Sequence, residues 1–436
     1  MKTYLHSICI EDLSSSLELY ADFHIHSYLS RATSQSMNLD ELSRNAKLKG
    51  LNLLGTGDFT HPVWMRELKE KLEPSGDSGL FSYGGIYWML TVEVSTVYEQ
   101  GNRARKVHHL IHVPGFDTAD QIVDALSKRG SLSSDGRPIF NGLFSPELVE
   151  IIMGISKDIM IIPSHAWTTW WSVLGAFSGF DSIEECYQDQ TKHIYAIETG
   201  LSSNPPMNWR WSKLDRFCLM SNSDAHSPWI WRLGRELNVF NLKRPSYYEI
   251  VNSVKKMDKK RFAFTIEVSP EYGKYHYTGH RDCNVSLHPR EAMNFSNICP
   301  KCGKKLTIGV LQRVEELADR PEGFVLKGAI PFKSLLPLYE IISSVMGVDK
   351  LYSRKVTEEQ DRLISEFGNE LNVLLNIKKE ELLKVTDAKI SDAIIKVREG
   401  RVGFTAGYDG VYGRPVFDQG DDLKASKEAK NLDDFM

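Results

Sequence analysis

Short apolar runs alternate with segments of helical periodicity from about residue 21 to residue 264. The runs have the length of buried strands, and they cover residues 22–26, 51–55, 87–94, 107–113, 159–163, 194–197 and 217–221. Two of the segments between them have the spacing of amphipathic helices, 38–49 and 146–155, and the first has Glu41 three residues after Asn38, as at a helix start. Strand followed by helix, repeated, is typical of a parallel α/β barrel, in which polar residues at the strand ends share one rim.

The pattern changes after residue 264. Between about residues 267 and 320 His, Tyr, Gly and Cys dominate and the periodicity fades, which favours a small module held together by metal. Helical periodicity returns in segments 335–346, 358–375 and 379–397, before a Gly-rich stretch and a polar tail. We therefore divide the chain into a barrel (1–264), a zinc-binding module (265–330) and a helical C-terminal domain (331–436).

Composition and charge narrow the class of protein. Of the 436 residues 42% are hydrophobic, which is enough for a sizeable core. We find no signal-peptide core and no apolar run of the ~18 to 20 residues that a membrane span needs, so we expect a soluble, cytoplasmic protein. The net charge of −4 argues against wholesale electrostatic capture of nucleic acid. One basic stretch, 243–261, is either a solvated helix face or a local contact to phosphates.

Nearly every predicted strand ends in residues that can hold a metal ion. His24 and His26 lie on the same side of their strand, because side chains alternate with a period of two. The following strand ends carry Asp58 and His61, Glu93, His108 and His109, His165, Glu198, and Asp224 and His226. Buried imidazoles and carboxylates are costly unless they are paired or bound to metal, so their convergence on one rim predicts a metal cluster.

The ligand types indicate the chemistry of this cluster. Mixed His and carboxylate ligation suits zinc, manganese or iron better than calcium. Closely spaced ions lower the pKa of a water molecule and neutralise the charge of a phosphate, so we expect phosphoester hydrolysis.

A second, separate metal site is predicted from the cysteines. Cys283, Cys299 and Cys302 fall within twenty residues of the six-cysteine chain, and His280 precedes the first of them by three positions. The HxxC and CxxC spacings supply the four N or S ligands of a tetrahedral structural zinc, which in a cytosolic chain is favoured over disulfides. His276 and His288 are close enough in sequence to compete with His280 for the fourth position.

The sequence around these residues resembles the polymerase-and-histidinol-phosphatase (PHP) superfamily and, more narrowly, the endonuclease Q family. The strings that carry the resemblance are HIHS (24–27), SRATS (30–34), GTGDFTHP (55–62), PSHAWT (163–168) and SDAHS (223–227). The resemblance extends from residue 21 to about residue 413 and includes the zinc-binding module. It implies an α/β fold with a distorted (β/α)7 PHP barrel, two or three divalent ions (zinc, manganese or magnesium) in the active site, and one structural zinc.

The resemblance also implies roles for individual residues. The first ion would be held by His24, His26, Glu93 and Asp224, the second by Glu93, His108 and His165, and the third by His226 with either Asp58 or His61. PHP domains read Asp-His at the third site, whereas this chain reads Asp58-Phe59, which leaves that choice open. The choice of His108 over His109 depends on the strand register. Glu93, Asp224 and His226 are the expected catalytic residues.

Tryptophans crowd the region that follows the ligand His165. Seven of the nine lie between residues 167 and 231, and three of them are Trp167, Trp170 and Trp171. Any one of these rings could belong to the core, but as a group beside a metal rim they predict a surface on which an extruded base stacks.

The combined expectation is a DNA repair endonuclease that cuts 5′ to a deaminated base or an abasic site. Its partner would be lesion-containing DNA, and it would be nucleoid-associated when bound. The alternative is a PHP-type phosphomonoesterase acting on a small phosphorylated metabolite, which would need neither the zinc-binding module nor the helical domain. A non-catalytic DNA-binding protein is disfavoured by the nearly complete set of metal ligands.

Overall fold

The computed structural model describes residues 16–348 and 352–417. Its strands are β1 Leu17–Asp22, β2 Leu53–Gly55, β3 Glu73–Pro74, β4 Phe81–Tyr83, β5 Ile86–Gln100, β6 Arg103–Val113, β7 Ile139–Asn141, β8 Met160–Pro163, β9 Ala196–Glu198, β10 Cys218–Met220, β11 Leu237–Leu242, β12 Phe262–Glu267, β13 Thr278–His280, β14 Val285–Leu287, β15 Phe332–Ser334, β16 Gly403–Thr405 and β17 Arg414–Val416. Its helices are α1 Leu39–Lys49, α2 Pro62–Lys71, α3 Phe116–Ser127, α4 Ser145–Ile155, α5 Ile183–Tyr187, α6 Pro205–Trp209, α7 Tyr247–Lys255, α8 Pro289–Asn294, α9 Val310–Leu317, α10 Leu338–Val345, α11 Arg354–Phe367, α12 Glu370–Leu375, α13 Lys379–Leu382 and α14 Ala388–Arg398. The α/β class expected from the sequence is therefore confirmed.

The main sheet is mixed, which corrects the expectation of a parallel barrel. Strands β1, β2 and β5 run parallel, but β1 pairs antiparallel with β11, and β6 pairs antiparallel with both β5 and β8. The reason for the β5–β6 reversal is local: Gly101 and Asn102 both have positive φ, and this two-residue turn can join only antiparallel strands. The predicted runs 87–94 and 107–113 are the two arms of one long hairpin. The count of seven βα units stays a prediction.

The first helix begins and ends where its sequence dictates. The Asn38 side chain accepts a hydrogen bond from the backbone N–H of Glu41, and Gly50 ends the helix in the left-handed conformation with φ of 102°. The buried face of α1, which includes Leu39, Leu42 and Ala46, packs into the apolar core of the barrel. This packing holds the loop before α1, and with it the residues after β1, against the sheet.

The zinc-binding module has a core of its own. The hairpin β13–β14 and helix α8 enclose five buried residues: Val285, Leu287, Ala292, Cys299 and Leu306. Arg313 of α9 ties the module to the barrel segment that follows His165, because its Nε donates to the carbonyl of Leu174 at 3.0 Å and its Nη2 donates to that of Phe180 at 3.0 Å. The module therefore lies beside the predicted tryptophan surface.

The helical C-terminal domain is joined to the barrel by a buried ion pair. Nζ of Lys49 in α1 lies 2.7 Å from Oε1 of Glu370 in α12, and both side chains are at most 2% exposed. Glu370 also accepts from the backbone N–H of Leu338 and from Nε2 of Gln360. The boundaries at 264 and 330 remain predictions, and β15, just beyond the second, pairs with β12 of the barrel sheet. None of the helices in the described ranges is long and apolar enough to cross a bilayer.

Candidate metal centre

Seven side chains from strand ends and from the β5–β6 hairpin meet at one end of the predicted barrel, residues 1–264. They form three overlapping groups in which all potential ligand atoms lie within 4.8 Å of one another: His24, His26 and Glu93; Glu93, His108 and His165; and His26, Asp224 and His226. Glu93 belongs to two groups and His26 to two, so the three groups form one cluster. We refer to these seven residues as the barrel-end cluster.

His24 and His26 follow β1 in extended backbone. This segment continues the sheet through a bridge between Ile25 and Ala225, with the N–H of His26 donating to the Ala225 carbonyl at 3.2 Å. The alternation of this segment places both imidazoles on the side that faces Glu93. The distances are 3.3 Å from Nε2 of His24 to Oε1 of Glu93 and 3.7 Å from Nε2 of His26 to Oε2.

Two carboxylates behind the histidines fix the orientation of the rings. Both oxygens of Glu198 lie 3.0 Å from Nδ1 of His24, and Oδ1 of Asp58 lies 3.1 Å from Nδ1 of His26. A carboxylate at Nδ1 sets the tautomer that carries its proton there and leaves the Nε2 lone pair directed inward. Glu198 also accepts from the backbone N–H of His165 at 2.7 Å, so it positions two ligands.

The donor set fits divalent cations. Glu93 lies within 3.0 to 3.7 Å of ring nitrogens of four histidines, namely His24, His26, His108 and His165. Nε2 of His24 and Nδ1 of His165 are buried, and neither has a hydrogen-bond partner among the described residues. Orphaned buried nitrogens are costly, and imidazole and carboxylate ligands together suit zinc or manganese.

Burial and neighbouring charges oppose each other in setting the pKa values of the cluster. Burial lowers the pKa of His24, but the carboxylates of Glu198 and Glu93 outweigh it and hold that pKa well above its usual value. Burial raises the pKa of Glu93, but His108 and His24 hold it well below its usual range. The pKa of His108 is lowered to about 4, chiefly by burial. At neutral pH Glu93 is therefore an anion and His108 a neutral imidazole with a lone pair to offer.

Three residues of this region have backbone conformations that are rare for side chains larger than hydrogen. The φ angles are 49° for Asp58, 29° for His165 and 48° for Asp224. Such left-handed residues persist only where their surroundings hold them, and they cluster at functional sites. Asp224 is held by its predecessor, since both oxygens of the buried Asp22 accept from Ser223, one from its backbone N–H and one from its hydroxyl.

The cluster opens to solvent on one side. The side chains of Asp224 and His226 are 33% and 32% exposed, whereas those of His24, His26 and Glu93 are fully buried. Asp224 and His226 therefore form the accessible side of the cluster.

Neither candidate for the third metal, Asp58 or His61, belongs to the group of ligand atoms that contains His226. The carboxylate of Asp58 is saturated by His26, by Ser27 through its N–H and hydroxyl, and by the hydroxyl of Ser30. His61 caps α2, accepting from the N–H of Val63 at Nδ1, and its Nε2 lies 3.2 Å from the carbonyl of Ser133. The group that contains His226 is completed by His26 and Asp224 instead.

Strand alternation separates His108 from His109. Nδ1 of His108 lies 3.0 Å from Oε1 of Glu93. The ring of His109 faces the opposite side of β6, where Nδ1 lies 2.8 Å from the hydroxyl of Tyr187 and Nε2 lies 3.0 Å from that of Thr96. Burial lowers the pKa of His109 to about 3, so it is a neutral core residue.

The structure separates the three tryptophans, and Trp167 requires a correction. Trp167 is fully buried, donates from Nε1 to Oδ1 of Asn208 at 2.8 Å and packs against Trp211, so its ring is not available to a base. Trp170 is 37% exposed and stacks on Phe177. Trp171 is half-buried, and its ring lies 5.2 Å from that of the ligand His108.

Lys106 adds positive charge to this surface, because its Nζ lies 5.0 Å from the centre of the Trp171 ring. An aromatic ring with a cation over it suits both the base and the phosphate of a nucleotide.

Arg137 is part of this site and was missed by the sequence analysis. Its Nη1 lies 3.2 Å from Oε2 of Glu93. Burial lowers the pKa of Arg137, but Glu93 and Asp224 outweigh it and raise that pKa further. Arg137 lies in an irregular loop between α3 and β7, where periodicity gives no signal, and only the neighbouring Gly136 hints at a close approach. A Cβ at Gly136 would lie 2.3 Å from Oδ2 of Asp58.

The second predicted metal site is also assembled. The ligand atoms of His280, Cys283, Cys299 and Cys302, which we call the module cluster, lie within 4.8 Å of one another. Of the two competing histidines, His276 is buried with its pKa lowered to about 4 by that burial, and His288 caps α8. Three sulfurs and one imidazole nitrogen fit a tetrahedral zinc.

The chain is similar to known proteins in both sequence and structure. Residues 337–401 match the family model of the MJ0043 C-terminal domain. The chain is 29% identical to protein YqxK of Bacillus subtilis over 411 residues, which cover 91% of this chain and 99% of YqxK. It is 31% identical to protein MJ0043 of Methanocaldococcus jannaschii over 258 residues, 58% of this chain, but this match spans only 31% of the length of MJ0043.

Two solved structures resemble the whole chain. The crystal structure of the lesion-specific endonuclease PfuEndoQ from Pyrococcus furiosus superposes with a TM-score of 0.83 at 33% identity, covering 96% of this chain and 98% of that one. A structure of endonuclease Q in complex with a 27-mer duplex, with an abasic lesion at the active site, gives a TM-score of 0.82 at 33% identity and covers 96% and 100% of the two chains.

Proposed function

Since the chain belongs to the endonuclease Q family, we propose that it is a DNA repair endonuclease that hydrolyses the phosphodiester 5′ to a deaminated base or an abasic site. The observation that carries this proposal is the likeness, over 96% of the chain, to an endonuclease Q structure holding duplex DNA with an abasic lesion at its active site. The barrel-end cluster supplies the ligands that hydrolysis of a phosphodiester requires.

The barrel-end cluster would hold two or three divalent ions, zinc, manganese or magnesium. His24, His26, Glu93 and Asp224 would bind the first, Glu93, His108 and His165 the second, and His226 with His26 and Asp224 the third. Such ions supply a nucleophilic water at neutral pH and neutralise the charge of the phosphate. The module cluster would bind a separate structural zinc.

The side chains of the cluster are held in position for metal binding before the substrate arrives. Glu198 and Asp58 orient the rings of His24 and His26, and Glu93 faces four imidazoles at once. Asp224 and His226, with a third of each side chain exposed, form the side where the phosphate enters. We assign Glu93, Asp224 and His226 as the catalytic residues, and Asp58 as a positioning residue for His26.

The lesion would be recognised on the surface next to His108. Trp171 and Trp170 are accessible from solvent, and Lys106 over Trp171 contributes a cation for the DNA backbone. Extrusion of a base from a duplex costs a few kcal/mol, and stacking on an aromatic ring recovers ~1 to 3 kcal/mol of it. Trp167 supports this surface from within the core and does not contact the base.

The module on the far side of the tryptophans favours a large substrate. Trp170 lies edge-on against Tyr275 of the module, with ring centres 5.2 Å apart, and Arg313 of the module donates to the carbonyls of Leu174 and Phe180 in the segment that follows Trp170. The surface beside the metal centre therefore continues from the barrel onto the module. A small phosphorylated metabolite needs no such extension, whereas a duplex does.

The decisive experiment uses end-labelled duplexes that are identical except for one position. We expect a single nick 5′ to deoxyuridine, deoxyinosine or an abasic site, no nick in the undamaged duplex, and loss of all cutting in EDTA. Equal cutting of damaged and undamaged strands would contradict lesion specificity and indicate a general nuclease. Hydrolysis of p-nitrophenyl phosphate without any lesion-dependent nick would favour the phosphomonoesterase alternative.

A further inference from the structure

The guanidinium of Arg137 is a permanent cation placed among ligands for other cations. Its Nη1 bonds to Oε2 of Glu93 at 3.2 Å, on the carboxylate that bridges two of the ligand groups. Its side chain is 24% exposed, so it is neither a surface arginine nor sealed in the core. A cation beside a cluster that binds divalent ions is repelled by them unless an anion lies between, and the open side of the site is where an anion arrives.

Most of the donors of Arg137 remain available to such an anion. A guanidinium has five N–H groups in a planar fork, and Glu93 is its one hydrogen-bond partner among the described residues. The fork matches the spacing of two oxygens of a phosphate, which a lysine does not. The single bond to Glu93 fixes the side chain while leaving the fork open.

The loop that carries Arg137 is held rigidly in this position. The carboxylate of Asp135 accepts from the backbone N–H of Arg137 at 3.1 Å and from that of Arg31 at 3.2 Å. The N–H of Gly136 donates to the carbonyl of Leu29 at 3.1 Å. The Gly136 backbone passes so close to Asp58, whose carboxylate lies behind His26, that an added Cβ would lie 2.3 Å from Oδ2. The guanidinium therefore needs little reorganisation when the substrate arrives, and this is what makes a fixed charge effective in catalysis.

We propose that Arg137 binds the non-bridging oxygens of the scissile phosphate and stabilises the charge that they gain in the transition state. During hydrolysis the water oxygen forms a bond to phosphorus as the bond from phosphorus to the leaving oxygen breaks. The water gives up one proton and the leaving oxygen takes one up, while Arg137 keeps all of its protons. The proposal deepens the proposed function, and it rests on that function only for the identity of the phosphodiester as DNA.

The test compares Arg137→Gln and Arg137→Lys with Arg129→Gln. Arg129 is a matched control, because it lies in the same connection but pairs with Glu147 at 2.7 Å, at the surface. We expect Arg137→Gln to lower kcat by ~10²- to 10³-fold, as loss of one preorganised donor does, with Arg137→Lys recovering only part of this. Metal content should change little, because the ligands remain, and the affinity for uncut lesion duplex in EDTA should fall far less than kcat, because the stacking surface remains. Arg129→Gln should cut normally.

Two further measurements distinguish a phosphate contact from a structural role. Guanidinium ion at non-denaturing concentration should restore cutting by Arg137→Ala, and urea should not. Bis-p-nitrophenyl phosphate, a phosphodiester without a base, should show the same loss in Arg137→Gln, so the role of Arg137 can be judged even if lesion DNA proves not to be the substrate. A variant that loses metal in proportion to its activity, or that guanidinium does not rescue, would overturn the proposal.

Discussion

The two metal-ligand sets of this protein are built in opposite ways. In the barrel-end cluster His24, His26 and Glu93 are at most 1% exposed. The carboxylates of Glu198 and Asp58 orient the rings of the two histidines. In the module cluster only Cys299 is buried, while Cys302 is exposed. The barrel holds its ligands with a large sheet, whereas the apolar core of the module consists of five buried residues.

This contrast predicts that metal contributes to the folded state of one region and not of the other. A core of five residues is far below what stabilises a domain alone, so the module should depend on zinc for its folded state. The main apolar core of the described residues is far larger, and we expect the strand ends to keep the ligands of the barrel-end cluster in place without an ion. We therefore expect the barrel to fold without metal and to position its ligands, and we expect the module to fold only when its cluster binds metal.

The largest expected effect comes from removing the module cluster. The double substitution Cys299→Ser with Cys302→Ser should remove one equivalent of zinc and unfold the module, because structural zinc binds with roughly 10 kcal/mol that is also folding free energy. Metal analysis, melting temperature and limited proteolysis measure this. The barrel-end ions should remain, and Cys218→Ser, at a buried cysteine of the barrel, should retain every ion. Full zinc content with an unchanged melting temperature would show that the module does not need the metal.

Removing one charge from the barrel-end cluster should affect activity and spare the fold. Asp224→Asn should lower the rate of nicking by at least ~10²-fold, since the ligand on the solvent-exposed side of the cluster loses its charge. Circular dichroism and melting temperature should stay near those of the wild type, in contrast to the cysteine variant. Affinity for lesion DNA should fall far less than the rate. Near-normal nicking would exclude Asp224 from the site.

A smaller loss is expected when an outer carboxylate is changed. Glu198→Gln keeps the shape of the side chain but weakens its hold on His24 and on the N–H of His165. We expect metal affinity to fall by ~10- to 100-fold, as is typical for such groups, and activity to return at high metal concentration. Glu184→Gln, at an exposed carboxylate paired with Arg216, is the control. If added metal does not restore the rate, Glu198 has a role other than orienting the ligands.

The smallest expected effect lies where the two regions meet, at the tryptophan surface. Trp171→Ala should slow nicking at deoxyuridine by about tenfold, in line with the loss of one stacked ring, and should change nicking at an abasic site much less. Tyr248→Ala, at an exposed ring on α7, is the matched control. Trp167→Ala should instead lower the melting temperature, because it leaves a cavity in the core. If Trp171→Ala lowers the nicking rate equally at deoxyuridine and at the abasic site, Trp171 does not act by stacking on the base.

The sequence indicates which residue types could bind metal, but it does not indicate which residues orient those ligands. Alternation along a strand places His24 and His26 on the same side, because a period of two is a local property, whereas the choice of His108 over His109 needed a register that the sequence does not give. That Asp58 orients His26 and that Arg137 reaches Glu93 depends on loops meeting across the barrel, which no periodicity encodes. Trp167 was misjudged for the same reason, since its partner Asn208 is distant in sequence. The β5–β6 reversal could have been found, because Gly101-Asn102 contains residue types that tolerate positive φ in tight turns.

The buried pair of Lys49 and Glu370 bears on how these two positions evolve. Glu370 lies within the region that matches the MJ0043 C-terminal domain, and Lys49 lies in the barrel. Loss of either partner alone leaves an uncompensated charge in the interior at a cost of about 3 to 5 kcal/mol, a large part of the stability of a typical domain. Selection should therefore act on the two positions together. Among related chains, those that lack the C-terminal domain should carry an uncharged residue at the position of Lys49, and those that keep the domain should change both positions or neither.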